Sequence, residues 1–320
     1  MTFINENFML NNETGKHLYH DFAKDMPIYD YHCHLDPKQI SENVKCEDIT
    51  ELWLSGDHYK WRAMRAQGIE ERYITGDAAP LDKFKKWAET LENSVGNPLY
   101  HWSQLELKMY FNIEDLLTSD NAEEIYHRAN DYLKQHKVTT QSLITDSNVN
   151  LICTTDNPTD DLNYHDEIKA QDGFHTTVLP AFRPDDVFKI GDQAFSDLLE
   201  KLEKLTHKIT SPSDFVEALY KRIQYFHDKG GRLADHGLEE IHFEDYTDKD
   251  IQVIFTKALN HSDISSYEQF QFQSYMLNEL SKAYHQHGWV MQIHFGAIRN
   301  NNSKMFEKVG KDAGLSLIHI

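Results

Sequence analysis

Two hydrophobic rhythms alternate along the chain, and the places where one gives way to the other divide it. Leu18, Phe22 and Met26 recur at helical spacing, predicting a helix over 12–25 that Asn11 or Asn12 is placed to cap. Pro27 ends that helix, and "IYDYHCHL" (28–35) alternates as a short strand. Residues 40–147 return to helical spacing through "ITELWLSGDHYKWRAMRAQG", "LDKFKKWAETLENSVG" and "IEDLLTSDNAEEIYHRANDYLKQH". That block is aromatic and nearly free of strand signals, which predicts a helical insertion after the first strand.

Beyond residue 147 the pattern changes. "VNLICTTDNP" (149–158), "HTTVLPAFRPDD" (175–186), "GGRLADHGL" (230–238) and "GWVMQIHFGAIRNN" (288–301) read as strands, with helical stretches at 192–207, 213–229 and 267–287 between them. Strands alternating with helices predict an α/β fold with a parallel sheet. Each expected strand ends in polar or ionisable residues: His32 and His34, Asp156, Arg183, Asp235 and His236, His294 and Arg299. A (β/α) barrel assembles its active site at the C-terminal ends of its strands, so this ordering points to such a site.

Composition narrows the function. With 32 Lys+Arg against 52 Asp+Glu the formal charge is −20, which disfavours nucleic acid, because neutralising phosphates needs a basic face. A small anion bound by a few local arginines is still allowed. Three cysteines, Cys33, Cys46 and Cys153, lack paired spacing and fit a reducing compartment. The first residues show no basic region followed by an apolar run, and no apolar stretch approaches the roughly 18 residues of a membrane span. A soluble cytoplasmic protein acting on a small molecule is expected, with neither nucleic acid nor membrane as partner.

Candidate chemistry sits at the strand ends. His32 and His34, two apart on a strand, share a face and can hold one divalent metal; the plain alternative is a hydrogen-bonded pair in a loop. His58 and Tyr59 stand at a loop-to-helix junction, where both residue types can transfer protons, while Trp61 and Met64 belong to a core. Arg183, extended before Pro184, suits bidentate binding of a carboxylate, or an internal salt bridge. Asp235 and His236 offer support for a metal site or an ordinary turn. His294 ends an apolar strand, and Arg299 opens a run of asparagines suited to a polyol or to a helix cap.

Taken together, "DYHCHLDP", "LWLSGDHYKWRAMRAQG", "ICTTDNP", "LPAFRPD", "ADHG" and "MQIHFGAIRNNN" resemble, in order and separation, the uronate isomerase (glucuronate isomerase) family of the amidohydrolase superfamily. The resemblance runs from about residue 8 to 314 and implies a distorted (β/α)8 TIM-type barrel of the metal-dependent hydrolase class. The implied reaction is aldose–ketose isomerisation, D-glucuronate to D-fructuronate and D-galacturonate to D-tagaturonate, through a cis-enediol. On this resemblance His32 and His34 are ligands of a divalent metal, zinc or alternatively manganese. Arg183, Arg299 and His294 bind substrate, and Tyr59 beside His58 moves the C2 proton. A homo-oligomer is left open for full-length members, whose oligomeric state the sequence does not decide. The rivals are a hydrolase on the same barrel, such as a deaminase or lactonase, and an inactive fragment.

The chain departs from the family pattern at its end. The resemblance implies a sixth to an eighth strand, the last carrying a metal-binding Asp, and no residue here takes those roles. The closing "LSLIHI" (315–320) is what CTGTCTCTTATACACATC, a transposon-end adapter, would encode. The expectation is therefore one incomplete barrel domain over 1–320, about five strands of eight, with the insertion at 40–147 and a non-native tail at 315–320. Such a chain is expected to be poorly soluble and inactive as written.

Overall fold

A computed structural model describes residues 3–296 and 301–310 of the chain; Arg299 and the expected tail at 315–320 lie outside the described residues. The chain forms two compact units, one helical (3–28, 42–148 and 301–310) and one built on a sheet (29–41 and 149–296).

In the helical unit the expected first helix is split. Asn12 caps Glu13–Leu18 by accepting from the Gly15 N–H, and a π-helical turn over Tyr19–Ala23 follows. Helix Pro80–Glu92 shows why the aromatic block folds as it does. Phe84, Trp87, Ala88 and Leu91 form one buried stripe at helical spacing, and Pro80 sits in the first turn, where its missing N–H costs nothing. The stripe packs into a core with Trp53, Met64, Leu107 and Phe111. Met64 is fully buried, and the half-buried Trp61 donates its indole N–H to the Leu54 carbonyl at 2.6 Å.

The sheet unit carries strands β1 (Ile28–Asp30), β2 (Val149–Asp156), β3 (Thr177–Phe182), β4 (Leu233–Leu238) and β5 (Val290–Phe295). Their spatial order is their sequence order, and β2 to β5 pair in parallel. Helices returning the chain between strands include Gln193–Leu205, Pro212–Asp228 and Ser266–His287, close to the expected stretches. Their inner faces meet in a core of Phe182, Phe195, Phe215, Phe226, Phe255 and Phe272. Two helices begin in capping boxes, Thr247 with Asp250 and Ser265 with Glu268, so their first N–H groups are satisfied reciprocally. Gly288, at φ +66, ends Ser266–His287 and turns the chain into β5.

One element is shorter than expected. β1 stops at Asp30, and the chain then touches β2 through the Cys33 N–H on the Cys153 carbonyl and the Thr155 hydroxyl on the Cys33 carbonyl. His32 and His34 therefore follow the strand rather than lie within it. Among the described residues no helix is long and apolar enough to cross a membrane.

Candidate active site

The site grows out of the pleat of β4. Side chains alternate across a strand, so Asp235 and His236 must face opposite ways. His236 is fully buried against Phe188 and Tyr284, and burial pushes its pKa down to about 4. It is a neutral packing group that faces away from the Asp235 cluster.

Asp235, whose side chain is 0% exposed, is the centre of the other face. His294 on β5, one strand over, donates Nδ1–H to Asp235 Oδ1 at 2.7 Å, which leaves Nε2 as its bare nitrogen. His32 Nδ1 lies 3.7 Å from Asp235 Oδ2, and the His32 and His294 ring centroids are 4.6 Å apart. From the end of β3, Arg183 donates Nη1–H to Asp235 Oδ2 at 3.0 Å and Nε–H to Asp185 Oδ2 at 2.8 Å. Asp185 Oδ1 in turn accepts the Gly237 N–H at 2.8 Å. Beside this cluster a cleft of about 550 Å³ is lined by Asp30, Tyr31, His32, Gln292, Ile293 and His294.

The charges are consistent with metal ligation. Burial holds the His32 pKa below the ordinary histidine range, with Asp235 opposing and His294 and Arg183 adding to the depression. A neutral imidazole is the ligating form. Burial works against the Arg183 guanidinium, but the carboxylates of Asp185 and Asp235 outweigh it and hold its pKa above the usual value. Burial also raises Asp30, against a backbone hydrogen bond from His32.

Two imidazoles and a carboxylate, His32, His294 and Asp235, place one ligand atom each within 4.8 Å of one another. His32 Nδ1 is buried with no hydrogen-bond partner. A divalent cation fits this donor set, since it would satisfy that orphaned nitrogen and match the mixed N/O ligation of borderline metals. His34 stands beside the group, its ring 5.0 Å from that of His32 and edge-on to it.

Of the residues singled out from the sequence, the structure thus brings together His32, His34, Arg183 and His294. His58 and Tyr59 belong to the helical unit, in the first turn of helix His58–Ala66, whose cap Asp57 accepts the Tyr59 and Lys60 N–H groups. Their rings are 4.7 Å apart, and the Arg62 guanidinium lies 5.3 Å from the Tyr59 ring. Arg299 lies outside the described residues. Asp185, the first acid of "RPDD", has no signal of its own in the sequence, and only the structure ties it to Arg183 and Gly237. Asp235 is a full member of the cluster, where the sequence offered it only as support.

A family model described as Glucuronate isomerase matches residues 1–319. The chain belongs to the glucuronate isomerase family. Its function is that of a uronate isomerase. The uronate isomerase of Staphylococcus haemolyticus (strain JCSC1435) is 87% identical over 318 residues, which are 99% of this chain and 68% of that protein. That of Bacillus licheniformis is 46% identical over 99% of this chain and 67% of that protein. Among solved structures, the uronate isomerase of Thermotoga maritima superposes with a TM-score of 0.93 at 31% identity, over 100% of this chain and 70% of that one. The glucuronate isomerase of Caulobacter crescentus gives 0.90 at 26% identity, over 99% of this chain and 68% of that one. The α/β fold with a parallel five-stranded sheet is thus close to known uronate isomerases.

Proposed function

We propose that the sheet is part of a distorted (β/α)8 barrel into which the helical unit is inserted, and that this cytoplasmic enzyme interconverts D-glucuronate with D-fructuronate and D-galacturonate with D-tagaturonate. The observation that carries the reading is the cluster of His32, Asp235 and His294 beside Arg183, three potential metal ligands next to a cationic group. A divalent metal, zinc by its mixed imidazole and carboxylate donors or manganese, would be held by His32 and His34 with Asp235 as the neighbouring carboxylate, leaving the bare His294 Nε2 for the substrate. When bound, it would supply Lewis-acid stabilisation of developing oxygen charge.

The remaining chemistry falls to side chains. The open-chain aldose carries an acidic C–H at C2 beside the C1 carbonyl. Tyr59, with His58 beside it, takes the C2 proton, and the carbonyl oxygen at C1 is protonated, giving the cis-enediol. Return of a proton to C1 and loss of one from the C2 hydroxyl yields the ketose, so protons and electrons balance with no co-reactant. Arg183 and Arg299 are assigned to binding the uronate carboxylate and hydroxyls, and His294 to hydrogen-bonding the substrate.

Incubation of the chain with D-glucuronate in deuterium oxide tests this. Deuterium at C1 of the ketose and C2 of the recovered aldose, both abolished by a chelator, would support this reading, whereas no incorporation would support the inactive fragment weighed from the sequence. Ketose formation that survives full metal removal would refute the metal reading.

A further inference from the structure

We infer that Asp185 is a positioning residue of this site, acting through Arg183. Its carboxylate makes two bonds that join the ends of neighbouring strands. Oδ2 accepts Arg183 Nε–H at 2.8 Å, just past β3, and Oδ1 accepts the Gly237 N–H at 2.8 Å, on β4. The guanidinium is planar, so fixing Nε fixes the direction of both remaining nitrogens. Nη1 is thereby set against Asp235 Oδ2 at 3.0 Å, and Nη2 is the edge left over. Arg183 therefore does not present the free two-nitrogen fork that its sequence context suggested. It neutralises the fully buried Asp235 with one nitrogen, and Nη2 is the nitrogen that bonds neither carboxylate.

Gly237 is part of the same device. A Cβ there would lie 2.6 Å from Arg183 Nη2 and 2.9 Å from Asp185 Oδ2, closer than such contacts tolerate. Glycine leaves room for the end of the guanidinium over the β4 backbone, and a Cβ there would push it aside. A carboxylate at 185 is required because it answers an amide N–H and a guanidinium N–H at once, which an amide side chain does poorly: its second terminal atom is itself a donor. The chain Asp185–Arg183–Asp235–His294 thus spans three strands, and its outermost member touches none of the candidate ligands.

That Nη2 meets the substrate rests on the uronate reading above; that Asp185 holds Arg183 does not. The experiment separates the two by following the Arg183 Nε–H directly in the intact chain by 15N NMR, with Arg222 as internal reference. Arg222 is buried and donates Nε–H to the Pro158 carbonyl at 2.6 Å. In D185N the exchange of the Arg183 Nε–H is expected to quicken by about tenfold or more, as a charge-assisted bond is lost, while that of Arg222 is unchanged. D-glucuronate titrated into the same samples is expected to bind about tenfold more weakly, and G237A to show both effects with the carboxylate intact. Unchanged Arg183 exchange in D185N would overturn the proposal, as would equal quickening at Arg183 and Arg222, which would mark Asp185 as merely structural. If R183K leaves D-glucuronate affinity unaltered while D185N still frees the Arg183 Nε–H, the positioning role stands and the substrate contact falls.

Discussion

At the scale of single residues, Asp235 decides the chemistry. It is wholly buried, it neutralises Arg183, and it orients His294 through a 2.7 Å bond. Substituting Asn keeps the shape and removes the charge, leaving Arg183 with Asp185 alone. We expect Asp235→Asn to lower affinity for a divalent cation by about tenfold or more and to destabilise the chain by about 3 kcal/mol, the usual cost of breaking a buried pair. Equilibrium dialysis with zinc and urea unfolding measure the two effects, and unchanged zinc affinity would remove Asp235 from the ligand set. His32 was in view in the sequence as half of an H-x-H pair, though that pair alone reads equally as hydrogen-bonded histidines in a loop. Asp235 was visible but ambiguous, since its two partners lie 52 and 59 residues away along the chain.

At the scale of elements, two helices are anchored by polar groups in otherwise apolar surroundings. Helix His58–Ala66 is held by Lys60, whose ammonium lies 3.0 Å from its own cap Asp57 and 5.6 Å from the Trp53 ring centroid. Burial raises the pKa of Glu106 nearby, with Lys60 opposing. Lys60→Met keeps an apolar stem but removes the countercharge from both acids. A loss of about 1–2 kcal/mol is expected in urea unfolding, discounted because Asp57 is partly exposed.

The second anchor joins β2 to helix Asn163–Lys169. The Thr154 hydroxyl donates to Asp156 Oδ2 at 2.7 Å and lies 2.8 Å from His165 Nε2. Burial favours the neutral form of both titrating groups, raising Asp156 from 3.8 to about 7 and lowering His165 from 6.5 to about 4. Their effects on stability oppose. Between pH 6.5 and 4 the unfolded chain protonates His165 and the folded one does not, so acid destabilises. Between 3.8 and 7 the folded chain keeps a proton on Asp156 that the unfolded one has lost, so acid stabilises. Relative to wild type, His165→Gln should therefore gain stability from pH 7 to 5, and Asp156→Asn should lose it. Urea midpoints at the two pH values give the signs, and equal signs would contradict this account. No spacing rule foretells this network, because Asp156 reads as a strand-end residue and nothing along the chain ties it to His165.

At the scale of the whole molecule, the sheet has two open edges among the described residues. β5 shows Val290 and Phe295 at 61% and 66% exposure, and Tyr29 and Tyr31 are as exposed along the first edge. Unpaired, apolar strands invite pairing with another chain. Sedimentation velocity on the chain as given should show association that grows with concentration, and Val290→Lys with Phe295→Lys should reduce it. A monomer at all concentrations would mean that these edges are protected.

What the sequence determined by itself is the local order: which segments are helix and which strand, and that ionisable residues gather at strand ends. Those properties depend on spacing between near neighbours, and hydrophobic periodicity records them directly. Tertiary structure alone decided that Asp235 and His236 face opposite ways, that Arg183 spends two nitrogens on Asp185 and Asp235, and that the end of the guanidinium lies where a Cβ on Gly237 would be. The reason is physical. Each of those facts depends on the register between parallel strands separated by whole helices, and a distance across strands leaves no periodic trace along the chain.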